Sequence, residues 1–434
     1  MIPTIPRCRI DQSISHSPSR RSPRSSLRLI TAGAALPMLV LSACGATSAH
    51  AQDDASSPAG QALSLPTPLA TSVRASGGTW ATVAMGDLNQ PLNTFWQLLF
   101  RPDGSASWSD RVEATAVATN GGIVLAGGGG PLIVGVRPSH DLTFSPLIAT
   151  TDAGHSWSNG LLGEGLASRP EALAGGPGGN ALALVDKWGG TQVVRAAGSL
   201  SSWQPVTTAH DLASASYGRA CDPGAVTAVA YLSGAAVVGT ACRRPGQTGI
   251  FLQNGAAWRA VGPNAVSSGS PGSGLSTEER AEVLGLVPAG TGLAALVGLA
   301  AGGGGTTTGD TPQTSLVASW AGTSGAWHAS APFRLAAGSR LVSFGATPEG
   351  GIFALVAHPD GRMSLAEAEK AGSGWHILPA PPATTATVAF LPGGTVDALA
   401  VKRVILTVWA LSPGSTGWVK TQVLDVPVQF GSSS

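Results

Sequence analysis

Pairs of short apolar runs, separated by glycine-centred turns, dominate the hydrophobic pattern of this chain. Typical examples are "EALAGGPGGNALALV" at 171–185, "AVTAVAYLSGAAVVGTA" at 225–241 and "LVSFGATPEGGIFALVA" at 341–357. A continuous apolar run of this length is typical of a strand buried on both faces, and a glycine turn between two such runs indicates a β-hairpin. The pattern therefore predicts many short antiparallel strands.

A second kind of hairpin follows most of these pairs and ends in a small residue and a tryptophan. This unit recurs about every 50 residues, and the tryptophans that end it are Trp108, Trp157, Trp203, Trp258, Trp327, Trp375 and Trp418. Two hairpins per repeat make one four-stranded antiparallel blade. The repeats predict an all-β, seven-bladed β-propeller over residues 65–434. The sequence leaves open how the ring closes near Leu63–Leu69 and Val426–Phe430.

The composition agrees with a fold of short strands and tight turns. The chain of 434 residues contains 59 Gly and 31 Pro, and 43% of its residues are hydrophobic. Glycine and proline favour turns, and the apolar content is ample for a core, which excludes an intrinsically disordered chain.

The first 43 residues differ in character from the rest. They contain six arginines and one acid, Asp11, and lead into an apolar run that is too short for an ordinary membrane-spanning helix. This is the pattern of an export signal. Its end, at residues 41–44, resembles the bacterial lipobox, which implies a lipid on Cys44. The alternative is cleavage after Ala51, which would release a soluble protein. Residues 44–64 are small and polar and are predicted to form a flexible tether.

Export also explains the remaining cysteines. We expect Cys8 to be lost with the leader, and the resemblance implies that Cys44 carries the lipid, so that Cys221 and Cys242 are predicted to form a disulfide. The histidines show no metal-ligand spacing, and we expect neither a metal nor another cofactor.

Since the whole chain has a formal charge of +1 and the leader contributes +5, the mature protein carries about −4. An acidic domain of this kind does not favour nucleic-acid binding.

One of the tryptophan turns is more specific than the others. It contains Thr150, Asp152, Gly154, Ser156 and Trp157, and this spacing resembles the Asp box of sialidases and other bacterial-neuraminidase-repeat propellers. The aspartate can accept backbone N–H groups, the glycine can adopt a positive φ, and the tryptophan can cover the turn. The resemblance therefore implies a structural staple within the propeller.

The polar residues that precede the first strand of each blade, or join its second and third strands, are the candidates for a site. In a four-stranded blade these segments lie on the face opposite the Asp-box turn, where they surround the central funnel. The candidate funnel residues are Arg169, Glu171, Tyr217, Arg219, Arg243, Glu278, Arg280 and Arg340, and Asp186 and Glu282 belong to the same segments. They are expected either to bind a carboxylate-bearing ligand or to form ion pairs between blades.

The resemblance to sialidases raises the possibility of an enzyme. That family uses three arginines, a Tyr–Glu nucleophile pair and an acid/base aspartate, for which Tyr217, Glu171 and Arg219 are the candidates. The family's Phe-Arg-Ile-Pro signature is absent, since "FRPD" at 100–103 lies in the wrong hairpin. We therefore expect a monomeric, non-catalytic binding or assembly scaffold. It would be anchored on the outer side of the cell membrane, with a glycan or an envelope protein as its partner, and sialidase-like glycoside hydrolysis is the alternative.

Overall fold

The computed structural model describes residues 72–86, 94–111, 122–127, 130–137, 143–187, 190–215, 218–262, 279–289, 292–301, 315–321, 327–370 and 374–426. The chain divides into two units, Met1–Ala59 and Gly60–Ser434, and all described residues belong to the second. The predicted leader, Cys44 and the tether lie outside the described residues, as do Tyr217 and Glu278.

The described strands form antiparallel meanders of four consecutive strands, which we number along the chain. The first three are β1 (Ser72–Ala75), β2 (Gly78–Gly86), β3 (Thr94–Pro102) and β4 (Ser109–Asp110); β5 (Ile123–Ala126), β6 (Leu132–Val136), β7 (Ser145–Thr150) and β8 (Ser158–Leu162); and β9 (Leu173–Gly175), β10 (Ala181–Lys187), β11 (Gly190–Ala196) and β12 (Trp203–Thr208). Each forms a sheet of its own.

The fourth and fifth meanders share one nine-stranded sheet. Its strands are β13 (Pro223–Leu232), β14 (Ala235–Cys242), β15 (Gly249–Asn254), β16 (Ala257–Ala260), β17 (Glu279–Ala289), β18 (Gly292–Ala301), β19 (Ser315–Ala321), β20 (Trp327–Ala329) and β21 (Phe333–Arg334). The two halves are joined through the pairing of Ala241 in β14 with Glu282 in β17. The predicted apolar hairpin at 225–241 corresponds to β13 and β14 and is confirmed.

The sixth and seventh meanders again form separate four-stranded sheets. They consist of β22 (Arg340–Ala346), β23 (Ile352–Ala357), β24 (Met363–Ala368) and β25 (His376–Leu378), and of β26 (Thr385–Phe390), β27 (Val396–Lys402), β28 (Ile405–Leu411) and β29 (Val419–Asp425). In every meander the repeated tryptophan lies at the start of the fourth strand or directly before it. The repeat read from the sequence therefore corresponds to one four-stranded unit.

The first strands of successive meanders contact one another. Strand β1 contacts β5, β5 contacts β9, and the contacts continue through β13, β17 and β22 to β26, which contacts β1. The first strands thus form a closed circuit. Apolar clusters fill the spaces between neighbouring meanders. For example, Trp80 and Phe100 of the first pack with Ile123 and Leu132 of the second. Burial between sheets on both faces is the reason that these strands read as continuous apolar runs.

Side chains close the circuit between the first and seventh meanders. The buried carboxylate of Asp397 in β27 accepts hydrogen bonds from the Arg101 guanidinium and, at 2.7 Å, from the Trp108 indole N–H. The Gln422 side chain binds both the N–H and the C=O of Trp108, at 2.9 and 2.8 Å. The Ser72 hydroxyl donates to the Val388 carbonyl at 2.8 Å. Within the described residues, polar contacts that include the buried Asp397 carboxylate therefore join the first meander to the seventh.

The connection between the third and fourth meanders contains two short helices, α1 (Ala209–Ala213) and α2 (Gly218–Cys221). Thr208 and Asp211 form a capping box at the start of α1. The predicted disulfide between Cys221 and Cys242 is confirmed, and it ties the end of α2 to the end of β14. No helix among the described residues is long and apolar enough to cross a membrane.

Candidate functional site

The antiparallel order of the strands determines which polar residues share one end of the ring. Segments that enter a first strand, or that connect a second strand to a third, lie at the same end of each meander. Arg169 and Glu171 precede β9, Arg137 follows β6, Asp186 lies near the end of β10, and Glu282 lies near the start of β17. All five belong to this end, which we call the funnel face. Four of them, Arg137, Arg169, Asp186 and Glu282, form what we call the funnel cluster.

An ion pair connects the third meander with the fifth. The Arg169 Nη1 atom lies 2.5 Å from the Glu282 Oε1 atom, and both side chains are largely buried, with 14% and 18% exposed. The fourth meander lies between these two in the chain, so the ion pair bridges beyond the nearest neighbour. Burial raises the pKa of Glu282, and the Arg169 charge opposes that rise. A paired arginine of this kind fixes the shape of the funnel face rather than offering a free guanidinium.

Arg137 supports this ion pair from the second meander. The Arg137 guanidinium donates to the Arg169 carbonyl, and the backbone N–H of Arg137 donates to the Gly122 carbonyl at 2.9 Å. Burial lowers the pKa of Arg137 to about 9, against the opposing charge of Asp186, so the side chain remains charged at neutral pH. Burial also raises the pKa of Asp186, while Arg169, the Ser168 N–H group and Arg137 lower it. The cluster therefore balances two buried arginines with two acids.

Glu171 is the exception among these acids. Its carbonyl accepts the Val229 N–H at 3.2 Å, which joins the segment before β9 to β13. Its carboxyl group makes no hydrogen bond or ion pair within the described part of the chain. Burial raises the pKa of Glu171 to about 8. The carboxyl group is therefore mostly protonated at neutral pH and can act as a hydrogen-bond donor or a proton donor.

Three of the other predicted funnel residues lie at exposed positions. Arg219 is exposed on α2, and Arg340 is exposed at the start of β22. Arg243 is also exposed and lies 3.6 Å from the Asp222 carboxylate. Arg280 lies in β17, two residues before Glu282. Of the predicted funnel residues, Arg169 is thus brought into contact with Glu282 of another meander.

Sequence reasoning missed Arg137. It directly follows the apolar run of β6, at the second-to-third strand connection that supplied other candidates, so its position was the available signal. Its burial and its contact with the Arg169 carbonyl come only from the packing of two meanders. Within the described ranges, no group of three or more His, Cys, Asp or Glu side chains is placed to hold a metal ion.

The tryptophan turn at 150–157 connects β7 to β8, at the end of the meander opposite the funnel face. The Asp152 carboxylate accepts the Ser156 N–H at 2.9 Å and the Ser156 hydroxyl at 2.5 Å, and Thr150 donates to it at 2.8 Å. These bonds, led by the Ser156 hydroxyl, lower the pKa of Asp152 to about 2. Gly154 has a φ of 82°, and its carbonyl accepts the Trp157 indole N–H at 3.2 Å. The turn is held by its own side chains.

Trp157 also contacts the neighbouring meander. Its ring meets that of Trp80 edge to face, with centroids 5.8 Å apart. A Cβ atom on Gly154 would lie 3.0 Å from the Trp80 ring, so a larger residue would disturb this contact as well as the backbone. The turn therefore links the first and second meanders.

Comparison with known proteins identifies the fold. No protein-family model matches the chain, and no curated protein matches its sequence. A periplasmic gluconolactonase from Pseudomonas aeruginosa is similar in structure, with a TM-score of 0.52, 14% identity, and coverage of 80% of this chain and 96% of that one. A xyloglucanase from Xanthomonas campestris matches 79% of this chain with a TM-score of 0.51 and 14% identity, and 51% of its own chain is covered. This chain therefore spans about half the length of the xyloglucanase. These structures are β-propellers, and the present chain has a β-propeller fold.

Proposed function

We propose that this chain is an exported, lipid-anchored, seven-bladed β-propeller that acts as a non-catalytic binding or assembly scaffold. Its funnel face would engage a glycan or an envelope protein outside the cytoplasmic membrane. The blade number is supported by the seven repeated tryptophans and by the closed circuit of first strands. Export is supported by the basic leader and by the disulfide, because disulfides persist in oxidising compartments.

The Arg169–Glu282 ion pair is the observation that carries the scaffold proposal. An enzyme that clamps a substrate carboxylate needs guanidinium groups that are free to form two parallel hydrogen bonds with it. Here Arg169, which is largely buried, is already bound to Glu282 of another meander, and the Arg137 guanidinium donates to the Arg169 backbone carbonyl. Such a network fixes the loops that shape a binding surface.

Two parallel assays on the purified protein test this proposal. The first is hydrolysis of a panel of fluorogenic glycosides, sialosides included, and the second is binding to an array of envelope glycans. We expect binding without turnover. The double variant Arg169→Gln/Glu282→Gln removes both charges, with a nearly isosteric change at Glu282 and a shorter side chain at Arg169, and it should weaken binding. Arg259→Gln removes an exposed arginine on β16, away from the funnel face, and serves as the matched control.

Photo-crosslinking in cells tests the other proposed partner, an envelope protein. If no glycan binds, a photo-crosslinking residue at Arg340 on the funnel face should capture an envelope protein in cells, and the same residue at Arg259 on β16 should not. Failure of glycan binding together with failure of crosslinking would contradict the scaffold proposal.

Glycoside hydrolysis remains the second candidate because of Glu171. A carboxyl group with a pKa near 8 keeps its proton at neutral pH, as a general acid for a glycosidic oxygen must. Turnover of any glycoside that disappears in Glu171→Gln, and persists in the exposed-site variant Glu349→Gln, would replace the scaffold proposal by this one.

The lipid anchor is tested separately from the function. In the producing bacterium, Cys44→Ala should move the protein from the membrane fraction to the soluble exported fraction. Release of the unaltered protein into the soluble fraction would instead support cleavage after Ala51.

A further inference from the structure

A cleft lies between the third and fourth meanders. It is lined by the ends of third strands, by the start of a fourth strand and by the turns between them, so it lies at the end of the ring opposite the funnel face. Its volume is about 410 Å³, which falls in the range of small-molecule sites. The lining residues used below are Arg195, Ser202, Gln204, Pro205, Val206 and Gln253.

Arg195 is the charged residue in the lining of this cleft. It lies in β11, directly opposite Gln204 of β12 in the strand register. Its Nη2 group donates to the Gln253 Oε1 atom of β15, which joins the two meanders across the cleft. The arginine is half-buried, and its Nε–H group is buried with no hydrogen-bond partner among the described residues.

No carboxylate lies within ion-pair distance of this guanidinium in the described part of the chain, whereas Arg101 and Arg169, two other partly buried arginines, each bind an acid. The other polar group close to it is the Tyr231 phenol. Burial raises the pKa of Tyr231, and the Arg195 charge offsets part of that rise. A half-buried cation without an acid is costly, because desolvation is not repaid by an opposite charge. An anionic ligand would repay it.

We infer that this cleft binds a small hydroxylated organic carboxylate, with Arg195 as the carboxylate-binding residue. The planar guanidinium matches the geometry of a carboxylate, and its charge selects an anion over a neutral sugar. The Gln204 and Gln253 amides and the Ser202 hydroxyl supply donors and acceptors for hydroxyl groups. Pro205 and Val206 offer an apolar surface for the carbon skeleton. A volume of about 410 Å³ accommodates a molecule of the size of a sugar acid.

Isothermal titration calorimetry on the purified protein tests this inference, with acetate, lactate, gluconate and glucuronate as probes and glucose as the neutral control. We expect gluconate or glucuronate to bind and glucose not to bind. The variant Arg195→Gln should weaken binding at least about tenfold, the usual effect of losing a charge-assisted hydrogen bond. Arg195→Lys keeps the charge but loses the fork, so it should bind with intermediate affinity.

Arg259→Gln is the matched control, because Arg259 is an exposed arginine on β16 in the fourth meander and does not line the cleft. It should bind the probes as the unaltered protein does. Thermal unfolding of each variant shows whether it is folded, and Arg195→Lys provides the comparison if Arg195→Gln is not. Absence of binding by all four carboxylates would overturn the inference, as would equal binding of glucose and glucuronate. Undiminished binding in a folded Arg195→Gln would also overturn it.

Discussion

Replacing Glu171 by glutamine isolates the contribution of one partly buried carboxyl group to stability. The folded protein holds the Glu171 proton up to a pKa of about 8, whereas an exposed glutamate loses its proton at about 4.5. Between these values the folded chain binds one more proton than the unfolded chain. Stability therefore falls as the pH rises through this window, because ionisation favours the unfolded state. Glutamine resembles the protonated acid in shape but cannot ionise.

The magnitude follows from the size of the pKa shift. Each pKa unit corresponds to about 1.4 kcal/mol, so the full shift amounts to an upper limit of about 5 kcal/mol. Water reaches part of the Glu171 side chain, and we expect the Glu171→Gln variant to gain about 2 to 5 kcal/mol over the unaltered protein at pH 8.5. At pH 4.5 the two proteins should be equally stable. For a domain of this size the gain corresponds to about 3 to 6 °C in the unfolding temperature.

The assay is thermal unfolding followed by tryptophan fluorescence at pH values from 4.5 to 8.5. Glu282 and Asp186 also have raised pKa values, but they titrate in both proteins and largely cancel in the difference. If the difference between Glu171→Gln and the unaltered protein is the same at both ends of the range, Glu171 ionises like an exposed acid. The reasoning from burial would then be refuted.

Three further changes test other stabilising contacts of the fold. Asp397→Ala should cost about 3 to 5 kcal/mol, because it leaves the Arg101 charge buried and unpaired; a loss below 1 kcal/mol in thermal unfolding would contradict this. The Asp152 carboxylate stabilises the folded protein at neutral pH, and this contribution is lost as the pH falls from about 3.8 to about 2. The variant Asp152→Asn should not show this loss in acid unfolding curves. Cys242→Ser should cost about 3 kcal/mol and, if the disulfide carries that stability, dithiothreitol should not destabilise the variant further.

The strands were predictable because the apolar residues of each strand lie next to one another in the sequence. Each is an apolar run between turn residues, and each repeated tryptophan follows a short turn, so the pattern needed no knowledge of distant contacts. The disulfide was predictable from the export signal and the number of cysteines. The helices α1 and α2 were missed, since Thr208 and Asp211 show a capping box but too few residues follow to give a helical period.

The funnel cluster was only partly predictable for a different reason. Arg169 and Glu171 stood out as polar residues before an apolar strand, but the folded structure places them in different electrostatic environments. Arg169 meets Glu282, 113 residues away in the chain, while Glu171 meets no opposite charge within the described residues. Pairing and desolvation of this kind depend on which meanders adjoin, and a single sequence does not encode that arrangement locally.

The two ends of the ring consequently suit different chemistry. At the funnel face the buried arginines Arg137 and Arg169 are balanced by acids, so a ligand there gains little from carrying a charge and must be recognised mainly by shape and hydrogen bonds. At the opposite end, Arg195 has no acid among the described residues, and an anion would restore the balance. Neutralising the funnel cluster should therefore alter the shape of its surface. Neutralising Arg195 should alter selectivity for charge while leaving the fold intact.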